Sequence, residues 1–351
     1  VPVLARMVPA PLSVEVRSGA IARLGDLLAD RRISARGDVA VAVGPGQGAT
    51  IVEAIRPTLN SAPVHRVDSG SIESAQRLGD VLRAGWYDAV VGIGGGRTLD
   101  VAKYAASQAG LPMVSVATSL SHDGIASPVA SLEHRGRKGS YGVQTPIAVL
   151  VDLDYVRRCP IEQLRAGVGD ALSNLSALAD WELAGRERGE TFDGLAAMFA
   201  RAAAESVVHR DDELTSDTFL TALAEALVLA GVAMAAAGSS RPCSGACHEI
   251  AHAVDVLYPG RASHGAQVAV GAMFACFLRD DPKLAQIDAC LRRLEVPRVP
   301  RDIGLDEEQF AAAVVEAPAT RPDRYTILEH LDMGKKEVRG RVDAFVRAFD
   351  R

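Results

Sequence analysis

The chain lacks a cysteine framework. Its five cysteines, Cys159, Cys243, Cys247, Cys276 and Cys290, are odd in number and scattered through 351 residues. That length builds a core without disulfide staples, so reduced thiols are the simpler reading. There is no long basic run, and 38 basic against 44 acidic residues leave a formal charge of −6, which gives sequence-blind binding to nucleic acid little electrostatic support. No apolar stretch reaches the roughly 18 uncharged residues of a membrane-spanning helix. The start, Val1-Pro2-Val3-Leu4-Ala5-Arg6, has no basic segment followed by a sustained apolar core, so the cytoplasm is the expected location. Internal repeats are absent as well. What is present is an apolar share of 48%, enough at this length for two ordinary cores.

The first half alternates β-rich runs with helical spacing. Val39 to Val43 reads as a buried strand ended by Gly44-Pro45-Gly46-Gln47-Gly48, followed by a helix over Ala49 to Leu59 and a shorter strand over Val64 to Val67. Ser71 to Ala84 has an amphipathic period, with Ile72, Ala75, Leu78, Val81 and Leu82 on one side. Ala89 to Ile93, Met113 to Ala117 and Ile147 to Val151 are further strands, with a helix over Thr98 to Gln108 and a hairpin over Val129 to Val143 that turns at Arg135 to Gly139. Strands separated by helices predict a parallel sheet that binds nucleotide beyond its C-terminal edge. After Cys159-Pro160 the strand-like runs stop; Leu164 to Ala184, Phe192 to Val208, Ser216 to Ala237, His248 to Leu257 and Ala266 to Leu278 read as helices. The expected division is an α/β dinucleotide-binding domain over 1–158 and an all-α domain over 159–351.

Gly94-Gly95-Gly96-Arg97-Thr98-Leu99-Asp100 follows a strand and opens a helix, where unpaired backbone N–H groups can receive phosphate and glycines let the backbone approach it. It is neither a G-x-G-x-x-G fingerprint nor a P-loop; a plain turn, with Asp100 and Lys103 as helix-face charges, is the competing reading. The next loop, TSLSHDGIASP over residues 118–128, leaves an adjacent strand and so belongs on the same sheet edge, either as a phosphate cradle or as a capped turn.

His248 and His252, four apart in a helical run, share one face, and His264 is near enough in sequence to fold back beside them. Asp170, just past Gly167-Val168-Gly169, lies in or near an apolar helix, where an ionised carboxylate needs a partner; a divalent cation is one and a helix N-cap is the ordinary alternative. Two neutral imidazoles and one carboxylate make a common catalytic zinc set, because three protein ligands leave a fourth position open. Cys243 and Cys247, beside His248, suggest either a thiolate-rich site or small buried thiols. His248-Glu249-Ile250-Ala251-His252 also matches H-E-x-x-H, in which the glutamate of a zinc protease activates water. Tyr258 stands where a metzincin needs its third histidine, and a nucleotide-type half does nothing for peptide hydrolysis.

Taken in order, GGGRTLDVAK (94–103), TSLSHDGIASP (118–128), GVGDALSN (167–174), RPCSGACHEIAH (241–252), SHGAQV (263–268) and RPDRYTILE (321–329) resemble the sn-glycerol-1-phosphate dehydrogenase family, within the wider group of glycerol dehydrogenases, iron-type alcohol dehydrogenases and dehydroquinate synthases. The first 80 residues agree mainly in pattern. The resemblance implies a dehydroquinate synthase-like fold with its site in the cleft between the two domains. It implies Asp170, His248 and His264 as ligands of zinc, with nickel or iron able to occupy the same set. Asp123 and His252 become substrate-binding residues, Asp170 touches substrate as well as metal, and His252 is therefore not a protease ligand. Gly95, Gly96, Asp100, Thr118, Ser119 and Ser127 become NAD(P) contacts, with Arg97, Thr98 and Ser121 of the same loops counted beside them.

The implied reaction is metal-assisted hydride transfer from NADH or NADPH to dihydroxyacetone phosphate, with His252 as a proton relay. Asp68 and the Gly44–Gly48 loop are the candidates for choosing between the two cofactors. The expected partner is a small phosphorylated ketone or alcohol, with no nucleic acid and no membrane span; a homo-oligomer stays open. Cys247 stands where the family is expected to carry an acidic residue, so a closely similar small ketone of a specialised pathway is also admitted. The rival reading is a carbocycle-forming lyase of the dehydroquinate or inosose synthase kind, which uses NAD transiently. Asp170 in GVGD favours the dehydrogenase pattern.

Overall fold

β1 (Ser13–Arg17) and β8 (Ala148–Asp152) form one side of a six-stranded, wholly parallel sheet whose order is β1-β8-β5-β4-β2-β3. The other strands are β2 (Val39–Val43), β3 (Val64–Arg66), β4 (Ala89–Gly94) and β5 (Met113–Ala117). The computed structural model describes residues 7–59 and 62–350; the opening six residues, read above for a leader, lie outside that range. Valine-rich β2, β4 and β5 are buried along their whole length, as a parallel sheet covered on both faces requires. On one face α1 (Leu24–Ala29) and α2 (Gly48–Ile55) pack Leu24, Ile51 and Val52 on Val41 and Val91. On the other, α3 (Ile72–Ala84) and α4 (Gly96–Ala109) pack Ala75, Leu82, Leu99 and Ala102 on Ala40 and Val90. The buried stripe of α3 is Ser74, Ala75, Leu78, Gly79 and Leu82; Val81, expected on that side, is 42% exposed, since at 3.6 residues per turn it falls at the edge of that stripe.

From β2 the chain moves outward to β3, and from β4 it moves the opposite way through β5 to β8, so the crevice at the ends of β2 and β4 is the topological switch point where open α/β sheets bind ligands. Thr98 fills the space there: a Cβ on Gly44 would lie 2.1 Å from its Oγ1, and one on Gly94 2.7 Å from its Cβ. Only glycine lets both strand ends close over that side chain. β6 (Val129–His134) and β7 (Arg137–Gly142) form the expected hairpin, turned at Arg135 and Gly136 with φ of 51° and 75°, the left-handed pair that matches strand twist.

After the single turn α5 (Leu153–Val156) every named element is helical: α6 (Ile161–Arg188), α7 (Gly194–Val208), α8 (Asp217–Ala237), α9 (Ala246–Leu257), α10 (His264–Leu278), α11 (Leu284–Arg293), α12 (Glu307–Thr320), α13 (Ile327–Leu331) and α14 (Lys335–Phe349). By length and composition α8 is apolar enough to cross a membrane, but 67% of its most apolar window is buried inside the protein, the mark of a core helix. Helices α6 and α10 approach until their backbones touch. A Cβ on Gly169 would sit 2.4 Å from the Gly265 carbonyl oxygen, and one on Gly265 2.0 Å from that of Ala166.

Candidate functional site

Asp170 stands in the middle of α6, so it caps no helix. It is 4% exposed, and its Oδ2 accepts the backbone N–H of Asp123 at 2.9 Å. His248 and His252 lie one turn apart on α9, and His264 opens α10. One ligand atom from each of Asp170, His248 and His264 lies within 4.8 Å of the others. The His248 and His264 rings are 5.1 Å apart, and His252 stands 6.4 Å from His264, beside the group.

Burial, reinforced by Asp123, raises the Asp170 carboxyl well above its ordinary value, opposed only by the Asp123 N–H. Burial holds His248 and His264 well below theirs, and burial followed by the Arg321 charge brings His252 down to about 4. These are a carboxyl without a cationic partner among the described residues and imidazoles kept in the neutral form that carries a free lone pair. That donor set fits a divalent cation, whose charge would return the carboxyl to its ionised form.

Glu249 turns away from this group. Its Oε2 accepts the Thr326 hydroxyl at 3.0 Å, and burial, with Glu329 and Asp180 nearby, pushes it up to about 9. The H-E-x-x-H match therefore lacks its water-activating base. The thiolate reading also gives way: Cys243 Sγ donates to the Ala230 carbonyl at 3.4 Å, and Cys247 Sγ lies 3.3 Å from His248 Nδ1. Burial raises both thiols, Cys247 to about 12. They are small buried thiols, one of them against a ligand-bearing ring.

At the sheet edge, α4 starts with Gly95 as an N-cap that offers no side-chain bond, so its first-turn amides have no side-chain cap. Ser119 Oγ is buried there with no hydrogen-bond partner among the described residues. An orphaned hydroxyl beside an uncapped helix N-terminus fits the phosphates of a dinucleotide. Thr118 and Ser127 are buried and Ser121 is half-buried in the same loop. Arg97 is exposed and packs against Gly70, whose Cβ would meet its Cγ at 2.7 Å, and Asp68 is exposed at the end of β3. Asp100 and Lys103 are not helix-face charges: both are buried, paired at 3.0 Å, and Lys103 Nζ reaches the Val129 carbonyl and, at 3.5 Å, Ser127 Oγ.

Lys103 as an anchor of the second loop was missed, and so was His122. The His122 ring covers the α4 terminus, since a Cβ on Gly96 would fall 1.9 Å from its Nε2, and its Nδ1 accepts the Gly124 N–H at 3.0 Å. His122 and Asp123 thus join the two halves of the site: one packs on the glycine turn, the other bonds Asp170. Also missed were Arg321, Arg324 and Lys138, whose charges act on the histidine group.

Residues 15–160 match the sequence profile of iron-containing alcohol dehydrogenases. The glycerol-1-phosphate dehydrogenase (NAD(P)+) of Archaeoglobus fulgidus is 42% identical over 279 residues, 77% of this chain and 79% of that protein. The protein of the same description from Staphylothermus marinus is 35% identical over 324 residues, 91% of each chain. Among solved structures, a probable glycerol dehydrogenase from Sinorhizobium meliloti 1021 has a TM-score of 0.75 and 22% identity over 97% of this chain and 98% of its own, a likeness of fold.

Proposed function

The chain belongs to the glycerol-1-phosphate dehydrogenase family, and we propose that it carries out that family's reaction, the NAD(P)H-dependent and metal-dependent reduction of dihydroxyacetone phosphate to sn-glycerol 1-phosphate. Its relatives are dehydrogenases by description, which sets the carbocycle-forming lyase aside. The observation that carries the reading is the convergence of Asp170, His248 and His264, tied through Asp123 and His122 to the glycine turn.

In this reading Asp170, His248 and His264 hold the cation, with zinc the proposed metal and nickel or iron compatible with the same nitrogen and oxygen donors. When bound, that ion polarises the ketone carbonyl and stabilises negative charge on its oxygen as hydride arrives. The α4 amides at Gly95 and Gly96 receive the cofactor phosphates, Thr118, Ser119, Ser121 and Ser127 line their path, and Asp100, held by Lys103, faces the same crevice. Asp123 and Asp170 orient the substrate hydroxyl. His252, neutral because burial lowers it to about 4, adds no charge beside the cation and relays a proton to the product oxygen. The nucleotide half is assigned to residues 1–158 and the metal and substrate half to 159–351.

The direct test follows NADH and NADPH oxidation with dihydroxyacetone phosphate, before and after chelation. Chelator-sensitive oxidation giving the sn-1 isomer is expected; no oxidation by fully metal-loaded protein would sink the assignment.

The same frame gives Glu249→Gln an outcome opposite to that in a protease. A neutral amide replaces a carboxyl that keeps its proton in the fold up to about pH 9 but loses it near 4.5 when unfolded. Stability from that proton is complete below 4.5 and lost as pH rises toward 9, so the variant gains on the wild type across that window. A gain of about 2–4 kcal/mol at pH 8, and little at pH 4.5, is expected from urea unfolding, with turnover retained. Loss of turnover at unchanged stability would restore Glu249 as a base.

A further inference from the structure

Asp180 follows Asp170 on α6, at a separation that the α-helical rise makes roughly 15 Å along the axis. It is fully buried, and its carboxylate holds three other helices. Oδ2 accepts the Ala246 N–H at 2.8 Å, the first amide of α9, whose N-cap Gly245 offers no side chain. Oδ1 accepts the Ile327 N–H at 3.0 Å, the first amide of α13, and an Arg279 Nη1 hydrogen at 2.6 Å. Arg279 closes α10, and its Nη2 donates at 2.6 Å to Ser176 Oγ, one turn before Asp180 on α6. Burial opposes the Arg279 charge, but attraction, that of Asp180 foremost, outweighs it and raises the guanidinium above its ordinary value.

The helices joined in this way carry the three grouped donors: Asp170 on α6, His248 two residues past Ala246 on α9, and His264 at the start of α10. Where they meet, Ala177, Cys247, Ala251, Val268 and Ala272 form a cluster of small side chains, which raise low ridges and resist sliding weakly. Directed bonds to a buried charge resist it strongly, because a group moved off its partner stays buried and unsatisfied. The approach is also close. A Cβ on Gly245 would lie 2.4 Å from Asp180 Oδ2 and 3.0 Å from the Ala177 Cα. Turns away from Asp170 and with Arg279 against it, Asp180 acts on the donors through position and not through charge.

We propose that Asp180 is a positioning residue for the metal centre: with Arg279 it fixes α9 and α10 on α6 and so keeps His248 and His264 within reach of Asp170. The inference rests on the reading of those three residues as metal ligands, and the test tells the two apart. Zn²⁺ affinity is measured by competition with a chromogenic chelator, and the visible absorption of the Co²⁺-loaded protein is recorded, for wild type, Asp180→Asn, Gly245→Ala and Leu24→Ala. Asp180→Asn keeps the shape but turns an NH₂ group toward hydrogen-bond donors. Gly245→Ala leaves the carboxylate intact and pushes the start of α9 off it. Leu24→Ala opens a cavity in the separate core cluster of the α/β half and controls for lost stability alone.

Asp180→Asn and Gly245→Ala are each expected to weaken zinc binding about 10–100-fold, the scale of losing a group that orients ligands, and to change the Co²⁺ bands, whereas Leu24→Ala melts lower with affinity and bands unchanged. Zinc affinity within threefold of wild type and an unaltered Co²⁺ spectrum, in either variant that folds, would overturn the role, as would an equal loss of affinity in Leu24→Ala. Wild type that binds zinc no more tightly than Asp170→Ala would strike the metal reading itself, and the role of Asp180 with it.

Discussion

Asp170→Ala is expected to lower turnover by about three orders of magnitude or more and to leave the purified protein without its metal, whereas His252→Ala loses turnover with metal content near that of the wild type. The first outcome follows from the donor count: Asp170, His248 and His264 are the grouped ligands, and two imidazoles without the carboxylate neither neutralise nor hold a divalent ion well. Without the ion, several kcal/mol of stabilisation on the developing alkoxide disappear, and each 1.4 kcal/mol is a factor of ten. The fold should tolerate the change. The Asp170 side chain accepts one bond, from the Asp123 N–H, in surroundings that disfavour its ionised form, so metal-free Asp170→Ala should melt no lower than metal-free wild type. The second outcome follows from the place of His252 beside the group. Elemental analysis after metal loading, alongside steady-state rates, decides both. Full metal content in Asp170→Ala, or its loss in His252→Ala, would exchange the roles assigned to these residues.

Much of this arrangement is legible from residue spacing. β2 and β4 declare themselves as runs of Val, Ile and Ala that end in glycine, β5 as a short valine-containing run ended by Thr118-Ser119, and the Arg135-Gly136 turn follows from its flanking alternation. β1 is not legible: Ser13-Val14-Glu15-Val16-Arg17 mixes charge with valine because it is an edge strand, paired only to β8. The imidazole pair is legible because four residues make a helical turn. Whether a neighbouring polar side chain faces that site is not, since Glu249 adjoins His248 in sequence and yet bonds Thr326. Asp100 and Lys103 read as helix-face charges because periodicity records where a residue points and not what covers it; the 118–128 loop buries both. Arg321 and Arg324 escape for a related reason, since they come from a loop some 70 residues beyond α9 and act on its histidines only once the chain has folded.

The distance between α6 and α10 is the least legible quantity, and Gly265→Ala tests it. Asp170 follows Ala166 by one turn on α6, and His264 precedes Gly265 on α10, so the contact between these backbones sets how far the carboxylate lies from the imidazole. The added Cβ would fall 2.0 Å from the Ala166 carbonyl oxygen, 2.6 Å from its carbon and 2.8 Å from its Cα. None of these is the end of a flexible side chain, so the helices themselves must separate, by roughly 1 Å to restore van der Waals contact. Forced expansion of a packed interior costs about 1–3 kcal/mol, and metal–ligand distances tolerate only about 0.2 Å. The expected result is metal affinity lowered at least about 100-fold, turnover falling with it, and a fold less stable by about 3 kcal/mol. Gly340→Ala is the control: it lies within α14 with nothing within 4 Å of the new Cβ, and it should stabilise by up to about 1 kcal/mol through helix propensity alone. Competition with a chromogenic chelator measures affinity, and thermal melts measure stability. Metal affinity in Gly265→Ala within threefold of wild type would show that something other than the glycine crossing places His264 beside Asp170.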